Sequence, residues 1–131
     1  MYYFAYGTNL NRKQMLERCP EGKPKLTATL HNYRLVFVGW SRQWRGGSAS
    51  IRRSSGERVS GAIYEVSEEC LKRLDRYEGS DYQRLNVIVN NEDGEPVEAI
   101  TYTNTRQAEE TKPSMEYLSI IQQGYKDWGI I

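Results

Sequence analysis

The stretch Tyr2-Tyr3-Phe4-Ala5-Tyr6-Gly7-Thr8-Asn9-Leu10 decides how the chain begins to fold. Its first five residues are apolar or aromatic, which is typical of a short buried β-strand. Gly7 ends this strand, and Asn9 or Asn11 can cap the short helix that follows. Such a joint exposes successive backbone N–H groups, which attract a carboxylate or a phosphate. The joint therefore predicts an anion-binding site, although many strand-to-helix joints with glycine and asparagine bind nothing.

Strands predominate in the rest of the sequence. Apolar alternation and β-branched or aromatic residues predict them over residues 25–38, 48–52, 59–66, 82–89 and 97–102. A turn at residues 54–57 separates the second of these from the third, and Asp93-Gly94 marks a hairpin between the last two. Gly61 inside a strand indicates a bulge or the close approach of another backbone.

Helices are fewer and frame the strands. Ser67 caps a predicted helix that ends near Gly79, and a last helix over residues 113–129 should pack outside the sheet. Its inward-facing residues are predicted to be Met115, Leu118 and Ile121, with Tyr125 as a further candidate. Six or seven strands and three helices, without regular alternation, predict an α+β fold: a small barrel-like sheet flanked by helices. We expect residues 1–131 to form a single domain with the first strand at its centre.

The charge balance excludes one broad class of partner. Eighteen basic and seventeen acidic residues give a formal net charge of +1, whereas nucleic-acid-binding domains usually carry a basic excess on one face. The arginines within residues 42–53 are interpreted as a solvated hairpin edge, with a local anion site as the minority alternative. No basic leader or apolar run of membrane-spanning length is present. We therefore expect a cytoplasmic protein that binds neither nucleic acid nor a membrane.

Cys19 and Cys70 are the two cysteines of the chain. One disulfide is arithmetically possible, but two cysteines do not make a secreted framework, and their spacing matches no zinc pattern. Neither has an obvious partner base, so a thiolate nucleophile is not favoured. Both lie in or beside amphipathic segments, and we expect buried, reduced thiols that are inessential for activity.

Few residue types remain that can carry chemistry. The single histidine, His31, lies in a predicted strand, no G-x-S-x-G or G-x-G-x-x-G motif is present, and no cluster of residues suits a metal. A lone carboxylate is left: Glu78 ends a predicted helix directly before Gly79. If Glu78 is buried, desolvation and the helix dipole both raise its pKa, as a proton-transferring acid requires. If it is exposed, it is an ordinary surface residue.

Several short motifs follow one another in a specific order. They are Tyr6-Gly7-Thr8-Asn9-Leu10, Trp44-Arg45-Gly46-Gly47-Ser48-Ala49-Ser50-Ile51, Val59-Ser60-Gly61-Ala62-Ile63-Tyr64 and Leu74-Asp75-Arg76-Tyr77-Glu78-Gly79, then Tyr82, Tyr102 and a closing helix with Pro113, Tyr117 and Gly124. Together they resemble the γ-glutamylcyclotransferase-like family along nearly the whole chain. Thr8 departs from the serine of that family, but it keeps a hydroxyl and adds a methyl group that could narrow the pocket.

The resemblance implies a small β-barrel-like fold whose cavity holds a γ-glutamyl compound. Glu78 would be the general acid/base of a reaction that closes the glutamyl group to 5-oxoproline and releases an amine or amino acid, without cofactor or metal. The residues implied to bind substrate are Tyr6, Gly7, Thr8, Asn9, Leu10, Tyr82 and Tyr102. For the last two, packing across paired strands is an equally good explanation.

Other functions stay open at this point. The leaving group could be that of a dipeptide, a γ-glutamylamine or a γ-glutamylated metabolite. A non-catalytic small-molecule binder on the same scaffold is a second class, although glutamine or alanine in place of Glu78 would have favoured it more. An interaction module that uses the loop with Trp40 and Trp44 is the third and weakest alternative.

Overall fold

A closed β-barrel forms the centre of the computed structural model, which describes residues 1–130. Within those residues the strands are β1 (Tyr2–Ala5), β2 (Lys23–Ser41), β3 (Gly46–Glu65), β4 (Tyr82–Asn90) and β5 (Pro96–Asn104). Their order around the barrel is β1-β3-β2-β4-β5. β1 pairs antiparallel with β3 and parallel with β5, so the first strand has a neighbour on each side. The predicted α+β fold with a barrel-like sheet is confirmed.

Helices surround this barrel. The described residues contain a 3₁₀ turn (Thr8–Leu10) and three α-helices, α1 (Arg12–Arg18), α2 (Glu68–Glu78) and α3 (Met115–Trp128). Two caps expected from the sequence form, because the side chain of Asn11 accepts from the Gln14 N–H and that of Ser67 from the Cys70 N–H, both at 3.1 Å. The longest helix among residues 1–130 has 14 residues, and none combines the length and hydropathy of a membrane span.

The long hairpin of β2 and β3 differs from the prediction at residues 54–57. Instead of ending a strand, these residues bulge out opposite Asn32, where the pairing shifts register between His31 and Tyr33. Asn32 and Gly56 have positive φ angles of 66° and 83°, and the Gly56 N–H donates to Asn32 Oδ1 at 3.1 Å. Turn-forming residues therefore bend a continuous strand here. This is why the described residues form five strands rather than six or seven.

β1 buries both of its faces. Because side chains alternate along a strand, Phe4 joins an apolar cluster with the other strands and α3, as does Tyr6 just beyond the strand. Tyr3 and Ala5 face a second cluster, which includes residues of α1 and α2. A Cβ atom at Gly61 would lie 2.7 Å from the Phe4 ring, so this glycine marks a close approach of β3 to β1. The unbroken apolar pattern of β1 follows from burial on both sides.

α3 buries Ile121 as predicted, but the rest of its buried face differs from the prediction. Met115 is 79% exposed, whereas the helix buries Tyr117, Ile121 and Gly124, which are spaced by four and then three residues. A Cβ atom at Gly124 would lie 2.6 Å from Leu10 Cβ, so the glycine lets α3 pack closely on the 3₁₀ turn. α3 therefore supports the segment that the sequence indicates as an anion site.

The prediction of two reduced cysteines is wrong. Cys19 and Cys70 form a disulfide, with their Cα atoms 5.5 Å apart and both residues fully buried. Cys19 directly follows α1, and Cys70 lies in the first turn of α2, so the bond joins these two helices. The cysteines are 51 residues apart in the sequence, and only the packing of α1 on α2 brings them together.

Candidate active site

A cavity of about 360 Å³ opens beside the 3₁₀ turn. Its wall combines this turn with the C-terminal end of α2, the end of β2 and the first residues of β3, β4 and α3. The predicted site residues that line it are Tyr6, Gly7, Thr8, Asn9, Glu78, Tyr82 and Tyr102. The structure thus brings together residues from four separate segments of the chain.

Leu10 is the one predicted site residue that does not line this cavity. Its side chain is fully buried, and its carbonyl accepts from Trp128 Nε1 at 3.0 Å. Its N–H donates to the Gly7 carbonyl at 3.1 Å, which closes the 3₁₀ turn. The predicted place of Leu10 in the substrate cradle is therefore corrected: it anchors the turn to the core and to α3.

Three further amides lie at this turn, those of Thr8 and Asn9 within it and that of Gly7 directly before it. Within residues 1–130, the N–H groups of Gly7, Thr8 and Asn9 find no hydrogen-bond acceptor. Backbone N–H groups away from bulk water need an acceptor, and all three residues line the cavity. Successive free amides of this kind form a concave site that suits an anion.

Asn9 fixes the shape of the turn. Its Nδ2 donates to the Tyr3 hydroxyl, its Oδ1 accepts from Arg18 Nη1, and its carbonyl accepts from the Tyr64 hydroxyl, all at 2.9 Å. The side-chain nitrogen and oxygen are therefore each hydrogen-bonded within the protein. Asn9 contributes its backbone N–H to the cavity, and it holds the guanidinium of Arg18 beside it.

Glu78 is the last residue of α2, and it is half-buried on the cavity wall. Burial raises the pKa of its carboxyl from the ordinary 4.5 to about 7, against a smaller opposite effect of the positive charge of Arg18. No group within residues 1–130 donates a hydrogen bond to this carboxyl. At neutral pH it is divided between its two forms, so it can both accept and donate a proton.

Three tyrosines of the wall use their hydroxyls within the protein. Tyr6 donates to the Tyr102 carbonyl at 2.6 Å, and Tyr82 donates to the Ala49 carbonyl at 2.7 Å. The Tyr102 hydroxyl lies 2.6 Å from Asp75 Oδ1 and donates to it. These residues hold the strands and α2 in place around the cavity, so what they present to it is the shape of the wall.

Tyr117 is a cavity residue that sequence reasoning did not include in the site. Its hydroxyl oxygen accepts from the Ala49 N–H at 2.7 Å, and no group within residues 1–130 accepts the hydroxyl proton. Burial raises the pKa of Tyr117 further above its ordinary value, so the phenol stays protonated. It is a free hydrogen-bond donor on the wall. The sequence did offer one indication of this role, because Tyr117 is among the residues of the last helix that carry the family resemblance.

Two tryptophans complete the wall. The Trp44 ring lies 5.2 Å from the Tyr117 ring, centroid to centroid, whereas Trp40 is 68% exposed at the mouth of the cavity. Trp40 belongs to the end of β2, so the connection to β3 is shorter than the gap between the strands predicted over residues 25–38 and 48–52.

A second cavity, of about 760 Å³, is larger but chemically poorer. Residues of β2, β4 and β5 line it, among them His31, and none of the predicted site residues does. Size alone would favour this second cavity as the functional site, whereas the free amides and Glu78 all line the first cavity.

Comparison with known proteins gives a consistent result. Residues 3–125 match the family model described as gamma-glutamyl cyclotransferase, AIG2-like. The gamma-glutamylcyclotransferases of Homo sapiens and Bos taurus are 32% and 31% identical over 135 residues, and each alignment covers 98% of this chain and 71% of the relative. A solved gamma-glutamyl cyclotransferase superposes with a TM-score of 0.94 at 31% identity, covering 98% of this chain and 80% of that one. The chain therefore belongs to the gamma-glutamyl cyclotransferase, AIG2-like family.

Proposed function

We propose that this protein is a gamma-glutamyl cyclotransferase, which converts a γ-glutamyl compound into 5-oxoproline and a free amine or amino acid. One observation carries the proposal: Glu78, an acid without a hydrogen-bond partner among residues 1–130, shares a cavity with the amides of Gly7 to Asn9, which are free within the same range. The amides bind the α-carboxylate of the glutamyl group, and Glu78 moves the proton. The proposal includes the cytoplasmic location that the sequence predicts.

The reaction is an intramolecular acyl transfer. The α-amine attacks the γ-carbonyl carbon, a new C–N bond closes the five-membered lactam, and the original γ-amide C–N bond breaks. One proton leaves the α-ammonium, and one reaches the departing amine, so the atoms balance without a cofactor. Correct positioning of reacting groups can supply roughly 7–11 kcal/mol. A cavity with fixed amides at one end provides such positioning.

Proton transfer sets the demand on Glu78. An α-ammonium has a reference pKa of about 8, whereas an ordinary glutamate lies near 4.3, so transfer between them would cost about 5 kcal/mol. With the pKa of Glu78 at about 7, the difference falls to about tenfold in proton affinity, or about 1.4 kcal/mol. Glu78 can therefore take the proton from the α-ammonium and return it to the leaving amine.

The remaining wall residues have supporting roles in this proposal. Tyr117 offers its free hydroxyl proton to a substrate oxygen, where negative charge develops during the attack. Thr8 brings a buried hydroxyl and a methyl group close to the amides, and Tyr82 and Tyr102 close the sides. Desolvation inside such a wall strengthens each of these polar contacts.

The test is product formation by the purified full chain. We expect 5-oxoproline and the free amine to appear in equal amounts from γ-glutamyl dipeptides or γ-glutamylamines, with no added metal or cofactor. A catalytic protein gives many turnovers, whereas a binding protein on this scaffold would retain the γ-glutamyl compound unchanged. Saturable binding without release of either product would replace the enzyme by the binder.

A further inference from the structure

We propose that Arg18 binds a carboxylate of the substrate in the cavity; this inference rests on the proposed function and adds to it. Arg18 is the last residue of α1, it is half-buried, and it lines the cavity that contains Glu78. Among the described residues that line this cavity, it is the only one with a positive charge.

The guanidinium of Arg18 is held in place before any ligand binds. Its Nη1 donates to Asn9 Oδ1 at 2.9 Å, and its Cζ lies 4.7 Å from the centroid of the Tyr77 ring. These contacts fix it between the free amides on one side and the end of α2 on the other. Arginine has five N–H donors in a planar fork, so one bond to Asn9 leaves most of them available.

Charge balance on the wall points to a ligand carboxylate. Two acids line the cavity, Glu78 and Asp81, and Asp81 already pairs with Arg106 at 3.2 Å. Glu78 is outside salt-bridge distance of Arg18, so Arg18 has no carboxylate partner within residues 1–130. A partly desolvated guanidinium is the side chain best suited to bind a carboxylate through two parallel hydrogen bonds.

A γ-glutamyl compound can offer such a carboxylate from two places. Every γ-glutamyl group has its own α-carboxylate, and an amino-acid leaving group adds a second one. The chemistry of recognition is the same, and substrates with and without the second carboxylate distinguish the two sources. If Arg18 binds the leaving group, it selects γ-glutamyl amino acids over γ-glutamylamines; if it binds the glutamyl end, it completes the site of the free amides.

The experiment compares γ-glutamylalanine with γ-glutamylethylamine, which lacks only the second carboxylate. Arg18→Gln removes the charge and can still donate to Asn9, Arg18→Lys keeps the charge without the fork, and Lys13→Gln is a matched control at an exposed position of α1. We expect Arg18→Gln to raise KM about 10- to 100-fold, the usual effect of losing a charge-assisted hydrogen bond, with Arg18→Lys in between.

Each outcome either supports or overturns the proposed contact between Arg18 and a substrate carboxylate. A rise in KM for γ-glutamylalanine alone assigns the contact to the leaving group, and an equal rise for both substrates assigns it to the glutamyl end. Unchanged KM in a folded Arg18→Gln protein overturns the proposal, whether or not kcat or its pH profile changes. Calorimetric titration of Glu78→Gln with and without Arg18→Gln, using γ-glutamylalanine, tests the contact without turnover. It therefore separates failure of this inference from failure of the proposed reaction.

Discussion

Asp75 and Glu78 lie one turn apart on α2, and the structure treats them in opposite ways. Asp75 accepts from Arg84 through both carboxylate oxygens, at 2.9 and 2.7 Å, and from the Tyr102 hydroxyl at 2.6 Å. These bonds hold its pKa below the ordinary value. The part of the chain that the structure describes gives Glu78 no such bond, and burial raises its pKa to about 7. The same chemical group is thus an ion-paired anion with a lowered pKa at one position and an acid with a raised pKa at the next turn.

The difference shows how the fold can keep a reactive acid in place. Arg84 also binds Glu68 at 3.0 and 3.1 Å, so one arginine ties the first and second turns of α2 to β4. The helix is fixed through Glu68 and Asp75, and Glu78 is positioned without any bond to its own carboxyl. An acid that must change its protonation state benefits from this separation, because a direct ion pair would stabilise one form.

The largest expected effect is on turnover by Glu78→Gln. Glutamine keeps the volume and the hydrogen-bonding capacity of Glu78 but cannot exchange a proton. We expect the rate of 5-oxoproline formation to fall by about 10²- to 10⁴-fold, mainly in kcat, because the free amides still bind the glutamyl end. The wild-type kcat should rise with pH through about 7, as the Glu78 carboxyl becomes the base.

Glu69→Gln is the matched control for this loss. It makes the same change on the same helix, at a side chain that is 76% exposed, and it should leave turnover unchanged. Near-normal activity of folded Glu78→Gln would show that the unpaired acid of α2 is not the proton carrier, and the contrast with Asp75 would lose its functional meaning.

The second effect concerns the disulfide, which holds the start of α2. Replacing both Cys19 and Cys70 by serine should lower the free energy of unfolding by about 2–4 kcal/mol, the usual contribution of a disulfide that closes a loop of this length. Neither sulfur lines the cavity, so the folded double variant should keep its activity. Urea denaturation with and without a thiol reductant checks this. An unchanged midpoint in the reduced or double-serine protein would mean that the disulfide adds nothing to stability.

The third effect is on the ion pair itself. Asp75→Asn removes the charge that binds Arg84 and should lower the free energy of unfolding by about 2 kcal/mol, a value reduced because Arg84 keeps its contact with Glu68. kcat should fall less than in Glu78→Gln, since the helix end loosens while the acid remains. Thermal unfolding and 5-oxoproline release, measured on the same samples, distinguish the two. A variant as stable as the wild type would show that Asp75 is not the ion-paired anion described above.

Local signals predicted much of this arrangement. Ser67 as a cap and Gly79 at the end of α2 are short-range features, and Asp93-Gly94 marks the hairpin of β4 and β5 in the same way. The motif around Gly7 and the acid at Glu78 followed from local chemistry and the resemblance. Only the structure shows that both of them line the same cavity.

Long-range features were not predictable from such signals. The pairing of Cys19 with Cys70 depends on how α1 packs against α2, and the course of β3 through residues 54–57 depends on its register with Asn32. Tyr117 and Arg18 reach the cavity because α3 and α1 both pack against the 3₁₀ turn beside it. Sequence periodicity defines which face of an element is apolar, but it does not define what that face meets.

The smallest expected effect is on how stability depends on pH, and it has opposite signs for Glu78 and Asp75. Glu78 has a raised pKa in the folded protein, so ionisation costs folding free energy as pH rises from about 4.5 to about 7, and stability is highest below that window. Asp75 has a lowered pKa, so its contribution is present above its ordinary value of 3.8 and is lost as pH falls below it.

Glu78→Gln should therefore match the wild type near pH 4.5 and become more stable above pH 7, by about 1 kcal/mol because the cavity admits some solvent. Asp75→Asn should instead be less stable than the wild type at neutral pH, with the difference shrinking in acid. Urea unfolding of the three proteins from pH 4 to 8 measures both trends. If the difference between Glu78→Gln and the wild type is the same at every pH, the Glu78 carboxyl titrates like an exposed acid, and the contrast between the two turns of α2 does not exist.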